Sequence, residues 1–223
     1  MNQLQLNPEN LCEAPVDGLI QFPALFYSNL GYFLVGCMIF YWLWKRKSDT
    51  KYVSLIGISA MFIALFSSVY HFAPDPDILF LDLFGITCLM TSLLFLSLSK
   101  DSKSSLFVRV MISVSLLFLI PSVAAFFSNL LAFILVLIAY AVFLVRELFP
   151  LTKNPYLLHQ YRFLLGAIGL QILGVIFSMI ERFDIFCNPN NHLIQGHAIW
   201  HISTALSIYL VFLYFESYSQ SQV

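Results

Sequence analysis

Seven long apolar segments limit what this chain can fold into more than any other feature of its sequence. Each is close to the roughly 20 residues that a helix needs to cross a bilayer, and charged residues or Pro/Asn/Ser clusters separate them. Only 10% of the residues are charged, whereas about 25% is usual in soluble domains. The sequence therefore predicts an all-α integral membrane protein, a seven-transmembrane helix bundle. The predicted spans are about 26 to 44, 52 to 72, 78 to 99, 105 to 123, 128 to 147, 160 to 181 and 194 to 215.

These spans also define the predicted domain organisation. Residues 1–25 form an N-terminal outer segment, residues 26–217 form one transmembrane domain, and residues 218–223 form a short cytoplasmic tail. The fourth and fifth spans are expected to be divided at PSVAAFFSN, where Pro121 and the pair Ser128 and Asn129 are candidate helix breakers. No basic stretch is interleaved with aromatic residues, so no nucleic-acid partner is expected. The sequence does not indicate an oligomeric state.

The basic residues predict how the bundle is oriented. In a seven-span arrangement all Lys and Arg residues except Arg182 fall on one side. By the positive-inside rule that side is cytoplasmic, which places the N-terminus outside and the C-terminus inside. The residues on the cytoplasmic side are Lys45, Arg46, Lys47, Lys51, Lys100, Lys103, Arg109, Arg146, Lys153 and Arg162.

Five polar residues are predicted to lie at similar depth in the outer half of the bundle. Ser67 precedes His71 by four residues in the second span, so both share one helix face. Asp82 lies roughly 9 Å into the third span, and His197 and His201 occupy the first turns of the seventh. A catalytic zinc site uses three protein ligands and leaves a position for water. The three histidines are therefore candidate zinc ligands, Asp82 is the candidate base for the bound water, and Ser67 would hold that water or a developing oxyanion.

Each of these residues alone has an ordinary explanation. A histidine at the end of a span is more often a hydrogen-bonded interfacial residue than a ligand, and a serine in a membrane helix commonly bonds to its own backbone. Asp82 is the stronger signal, because a carboxylate inside a membrane is costly and by default indicates function. The metal-site hypothesis rests on the coincidence of all five residues at one depth.

The spacing of these residues resembles the CREST superfamily, which includes alkaline ceramidases, the adiponectin and progestin receptors, and hydrolases that remodel GPI lipids. The matching features are SxxxH in the second span, an aspartate eleven residues after that histidine, and HxxxH in the seventh span. CEAPVDGLIQFPALFYSNLGYFLVG, and FDIFC before HAIWHISTALSIYL, are most similar to the alkaline ceramidase branch. The resemblance implies a seven-helix membrane hydrolase with zinc on His71, His197 and His201, assisted by Asp82 and Ser67.

Residues and resemblance together lead us to expect a zinc-dependent lipid amide hydrolase. It would cleave a ceramide-like N-acyl sphingolipid, or a related membrane lipid, to fatty acid and amine by metal-bound hydroxide. Trp200 is expected to line a cavity for the acyl chain. The expected location is a bacterial inner membrane or a eukaryotic endomembrane, with the active site towards the outer or lumenal side. The alternative is a receptor-like protein whose zinc site is structural or only weakly hydrolytic.

The segment before the first span carries two further expectations. Eukaryotic alkaline ceramidases resemble one another in a calcium site with the pattern Asp-Trp-Cys-Glu, whereas this chain has Asn10, Leu11, Cys12 and Glu13. Only Glu13 is clearly retained as a candidate calcium ligand, so calcium regulation is doubtful. Cys12 and Cys187 both fall on the outer side, where an oxidising compartment permits a disulfide, and the resemblance implies the same pairing. The alternative is two unrelated thiols.

Three other classes of membrane protein lack the residues that they need here. A retinal protein requires a lysine within its last helix, and the seventh span has none. Membrane di-iron desaturases require more histidines than the five in this chain. A haem-binding electron carrier would leave the serine and aspartate beside the histidines without a role.

Overall fold

Every regular element in the described part of the chain is helical. The computed structural model describes residues 12–46, 52–72, 75, 78–100, 105–126, 129–153 and 158–220. The prediction of an all-helical chain is confirmed for these residues. Their helices are α1 (Pro23–Ser28), α2 (Leu30–Arg46), α3 (Ser54–Phe72), α4 (Leu79–Ser99), α5 (Leu106–Phe126), α6 (Asn129–Lys153), α7 (Leu158–Arg182) and α8 (Gly196–Gln220).

Six helical segments of the described chain are long and apolar enough to cross a membrane. The first of them joins α1 and α2, and α5 contributes a shorter apolar stretch over Leu106–Ile120. The protein is therefore a multi-pass membrane protein. The six segments are Pro23–Arg46, Ser54–Phe72, Leu79–Ser99, Leu131–Leu151, Tyr161–Arg182 and Gly196–Tyr218.

The first predicted span begins earlier than expected and is interrupted. The span predicted over 26–44 starts at Pro23, and Asn29 separates α1 from α2. The Asn29 side chain donates to the carbonyl of Leu25 at 3.3 Å. Asparagine side chains compete in this way for backbone partners. The backbone of Asn29 keeps right-handed helical dihedrals, so the interruption is limited to this one residue.

The last helix is longer than predicted. The final span was expected to end near 215, but α8 continues to Gln220. Part of the predicted tail is therefore helical, and its residues 221–223 lie outside the described residues.

Two long helices, α4 and α8, are the most enclosed in the bundle. α4 packs against α3, α5 and α6, whereas α8 packs along α7 and also against α1, α2 and α3. Gly85 allows a close approach of α4 to α3, since a Cβ there would lie 3.0 Å from the Cα of Ile63. This packing brings the C-terminal end of α3 beside the first turns of α8.

A polar cluster ties the opposite end of α8 to the rest of the bundle. The Lys100 ammonium, just after α4, donates to Glu147 on α6 at 2.6 Å and to the Tyr214 hydroxyl on α8 at 2.9 Å. It also lies 4.2 Å from the ring centre of Tyr218. Burial lowers the pKa of Lys100, and the Glu147 carboxylate opposes that shift. The cluster joins three helices far from the histidines.

Candidate metal centre

Three buried histidines meet where the end of α3 adjoins the start of α8. His71 lies in the last turn of α3, and His197 and His201 lie in the first two turns of α8. One ligand nitrogen from each ring lies within 4.8 Å of the others. Their relative exposures are 0%, 9% and 6%, so all three side chains are buried. Within the described residues, no other group of three His, Cys, Asp or Glu side chains is arranged to hold a metal ion.

A carboxylate from α7 determines where α8 begins. Glu181 accepts the backbone N–H of His197 at 2.9 Å, a donor that has no partner within the first turn of its own helix. A negative charge at this end also interacts favourably with the helix dipole. A Cβ on Gly196 would lie 2.8 Å from Glu181 Oε2. Glycine at this position therefore permits the approach by which Glu181 holds the first turn of α8, which carries His197.

The helix face that carries His201 is held by residues of α1 and α2. Ser28 Oγ lies 2.8 Å from His201 Nδ1, and the Tyr32 hydroxyl is hydrogen-bonded to Thr204 Oγ1. Thr204 lies three residues after His201 on α8 and donates its hydroxyl to the His201 carbonyl at 3.1 Å. α8 is therefore fixed on this face by two hydroxyl contacts.

The remaining ring nitrogens test whether the cluster fits a metal ion. Both nitrogens of His71 and Nδ1 of His197 are buried without a hydrogen-bond partner in the described part of the chain. An unsatisfied buried polar atom costs about 1–3 kcal/mol, and the lone pair of a neutral imidazole can instead be satisfied by a metal. The residues present therefore fit a metal ion.

Asp82 and Ser67 are hydrogen-bonded to each other. Asp82 lies in the first turn of α4, and Ser67 on α3 donates its hydroxyl to the Asp82 carboxylate. Ser67 and His71 are one turn apart on the same face of α3. Asp82 is therefore held against the helix face that carries a histidine of the cluster. It is also close enough to Tyr32 to act on it electrostatically.

Trp200 adjoins the histidines and α7. Its ring centre lies 5.4 Å from that of His197, with the two planes tilted by 50°. A Cβ on Gly174 of α7 would lie 3.4 Å from Trp200 Cδ1. The indole therefore packs between one candidate ligand and the neighbouring helix.

A group of five residues joins the N-terminal segment to the start of α8. We call this group the N-terminal clasp; it comprises Cys12, Glu13, Glu181, Cys187 and His192. Cys12 and Cys187 form a disulfide with their Cα atoms 5.5 Å apart. The backbone N–H of Cys12 donates to Glu181 at 3.3 Å. The same carboxylate thus contacts both the disulfide segment and the first turn of α8.

Glu13 is engaged by protein groups. Its fully buried carboxylate accepts the backbone N–H groups of Ala24 and Leu25 at 2.9 and 3.3 Å. His192 Nδ1 lies 3.1 Å from the same side chain. Glu13 therefore caps α1, and in the described residues it is not part of a three-ligand metal group. Asn10 and Leu11 lie outside the described residues.

Sequence reasoning missed several residues that support the cluster: Ser28, Tyr32, Glu181, His192 and Thr204. Glu181 gave the clearest signal, because it is a carboxylate at the end of an apolar segment. A serine, a tyrosine or a threonine in an apolar segment gives no comparable signal.

Comparison with known proteins identifies the family of this chain. No curated protein matches the chain. The family model described as Ceramidase matches residues 26–222, which includes every helix of the described residues except the beginning of α1. All three clustered histidines, Asp82 and Ser67 lie within the match. The chain therefore belongs to the Ceramidase family.

Proposed function

We propose that this protein is a zinc-dependent, seven-span membrane hydrolase that cleaves the amide bond of a ceramide-like lipid. One observation supports this proposal above all: three buried imidazoles converge on one point, and two of them, His71 and His197, have buried ring nitrogens without a hydrogen-bond partner in the described residues. Membership of the Ceramidase family supports the choice of a hydrolase and of a lipid amide substrate.

His71, His197 and His201 would hold the metal. Zinc is the ion that best suits this donor set, because it accepts imidazole nitrogens and its catalytic sites use three protein ligands. When bound there, zinc would supply Lewis acidity and lower the pKa of a coordinated water. Since the site is buried, the protein groups beside it act with little competition from bulk solvent.

Asp82 would act as the general base and then as the general acid. Its carboxylate accepts the proton of the water that attacks the amide carbonyl. Once protonated, it can return that proton to the nitrogen of the leaving amine as the C–N bond breaks. General acid–base assistance of this kind is typically worth about 10² to 10⁴ in rate.

Ser67 would have a role that depends on the protonation of Asp82. A serine hydroxyl has one proton, and the hydrogen bond to the carboxylate uses it. In the resting state Ser67 therefore orients Asp82. After Asp82 takes up a proton it no longer needs this donor, and the Ser67 hydroxyl is released to stabilise the oxyanion that has formed.

The surroundings of the cluster suit a substrate with long apolar chains. Trp200 packs beside His197, where its indole would contact an acyl chain next to the scissile amide. A lipid can reach a site in a membrane-spanning bundle directly from the bilayer. A ceramide-like molecule provides both the amide and the chains.

The described basic residues support an outer or lumenal position for the site. Those at the end of the bundle opposite the histidines end α2, follow α4, lie in the first turns of α5 and α7, or lie near the end of α6. By the positive-inside rule that end faces the cytoplasm, with the N-terminus outside and the C-terminus inside. These residues are Lys45, Arg46, Lys100, Arg109, Arg146, Lys153 and Arg162; Lys47, Lys51 and Lys103 lie outside the described residues.

Turnover of N-acyl lipids tests the proposed reaction against the receptor-like alternative. Zinc-loaded protein in liposomes should release fatty acid and amine from ceramide or a related N-acyl lipid, measured by mass spectrometry. A protein that binds such lipids at full metal occupancy, but leaves a broad panel of lipid amides and esters intact, would favour the receptor.

A further inference from the structure

Ser28, the last residue of α1, has no part in the reaction described above. It is buried, with a relative exposure of 8%, and its hydroxyl lies between two partners. Oγ lies 2.7 Å from the backbone carbonyl oxygen of Leu25 and 2.8 Å from Nδ1 of His201. Both distances are those of hydrogen bonds.

The Leu25 carbonyl determines the direction of both bonds. A carbonyl oxygen can only accept, so the single proton of the Ser28 hydroxyl is donated to Leu25. Ser28 Oγ must then accept the proton of the second bond, which comes from His201 Nδ1–H. In a neutral imidazole with Nδ1 protonated, the lone pair is on Nε2. His201 therefore presents Nε2 as its ligand atom.

We propose that Ser28 is a positioning residue that holds His201 in the Nδ1–H tautomer and directs its Nε2 into the metal centre. This inference rests on the metal site of the proposed function. A metal-bound histidine commonly donates its other N–H to a nearby oxygen, which fixes the tautomer and ring orientation and strengthens the ligand. The Leu25 carbonyl and the Ser28 hydroxyl form such a support for His201.

His201 differs in this respect from the other two histidines. In the described residues, both ring nitrogens of His71 lack a hydrogen-bond partner, and so does Nδ1 of His197. Among the three rings, His201 is the one that the described protein orients through its Nδ1. Removing Ser28 should therefore weaken a ligand whose direction is set before the metal arrives.

The position of Ser28 follows from the N-terminal clasp. Glu13 accepts two N–H groups at the start of α1, and Cys12 next to it is bonded to Cys187. The N-terminal clasp thus fixes the start of α1, a six-residue helix. Ser28, at the other end of α1, contacts His201 on α8.

Zinc release tests the role of Ser28 without depending on turnover. Purified wild-type protein, Ser28→Ala, Ser28→Thr and Ser207→Ala are loaded with zinc and challenged with a chromogenic chelator. Ser207 is the matched control, because it is a buried hydroxyl on α8 that donates to the Ala167 carbonyl at 3.0 Å and, in the described part of the chain, has no hydrogen bond to a histidine. Loss of such a support typically weakens metal affinity about 10- to 100-fold.

We expect Ser28→Ala to lose zinc at least about tenfold more readily than the wild type. Ser28→Thr keeps the hydroxyl and should release zinc at close to the wild-type rate. Ser207→Ala should also release zinc at the wild-type rate. Cobalt in place of zinc should give an altered visible spectrum only in Ser28→Ala. Zinc release from Ser28→Ala at the wild-type rate would overturn the proposal, as would an equal effect of Ser207→Ala.

A measurement on the wild-type protein covers the case in which Ser28→Ala does not fold. With ¹⁵N-labelled histidine and bound zinc, His201 should show a protonated Nδ1 and a metal-bound Nε2. A metal-bound Nδ1 would contradict the role of Ser28. A zinc-loaded protein with the expected tautomer but no hydrolysis of lipid amides would remove the proposed reaction and leave the role of Ser28 intact.

Discussion

The carboxylate of Glu181 accepts the backbone N–H of His197 at 2.9 Å, so the last turn of α7 fixes the first turn of α8. The same carboxylate accepts the N–H of Cys12. A single buried side chain therefore connects the disulfide segment to the helix that carries two of the three candidate ligands.

Replacing Glu181 should loosen this helix start. Glu181→Ala leaves two buried N–H groups without their acceptor, and loss of a helix cap typically costs about 0.5–2 kcal/mol. We expect a lower melting temperature in detergent and weaker zinc retention. Glu181→Gln is the matched variant, because its amide keeps one acceptor oxygen and should give a smaller loss. Equal melting temperatures for Glu181→Ala and the wild type would show that the cap is not needed.

The aspartate and the serine should differ in their effect on catalysis. Asp82→Asn keeps the shape of the side chain but cannot take up the proton, so kcat should fall by about 10² to 10⁴. Ser67→Ala removes one hydrogen bond to a charged group and should lower kcat by about tenfold to a hundredfold. Amine release by zinc-loaded protein measures both. A larger loss in Ser67→Ala than in Asp82→Asn would reverse the assigned roles.

The helices and the three histidines could be foreseen because each gives a local signal. A span needs about 20 apolar residues, and a run of that length can be recognised in the sequence without knowing how the helices pack. The histidines were foreseen because helix ends place them at one depth, whatever the details of packing. His71 and His197 are far apart in sequence, but both helices cross the same membrane, so the depth of each residue can be compared directly.

Apart from Glu181, the supporting residues could not be foreseen, because their roles exist only after the helices pack. Ser28 and His201 are 173 residues apart, and Cys12 and Glu181 are 169 residues apart. Nothing next to Ser28 in the sequence distinguishes it from the other serines of the chain. The interruption at Asn29 was missed for a related reason, since α1 depends on the cap that Glu13 provides from outside the helix.

The disulfide should stabilise the clasp. Cys12→Ser opens a bond that closes a long loop, and a disulfide commonly contributes about 2–4 kcal/mol, so the melting temperature should fall. Cys37→Ser is the control, because Cys37 is an exposed free cysteine. Non-reducing peptide mapping should recover Cys12 and Cys187 as one linked peptide. Alkylation of both thiols in untreated membranes would contradict the bond.

The Lys100 cluster should affect stability without affecting the metal. Glu147→Ala leaves the Lys100 ammonium buried without its carboxylate, and breaking a buried pair typically costs about 3–5 kcal/mol. The double variant Lys100→Met, Glu147→Leu removes both charges and should recover much of the loss. Thermal melts measure this, and zinc content should match the wild type in every variant that folds. Loss of zinc from the folded double variant would contradict this prediction, because it would show that the Lys100 cluster influences metal binding at the other end of the bundle.

The zinc content of purified protein tests the central claim most directly. If His71, His197 and His201 hold a single catalytic zinc, elemental analysis should find about one zinc per chain in the wild type. The His197→Ala, His201→Ala double variant should keep less than about a tenth of that amount, because one imidazole alone does not retain the ion. Full zinc occupancy in the folded double variant would contradict the metal centre and the reaction built on it.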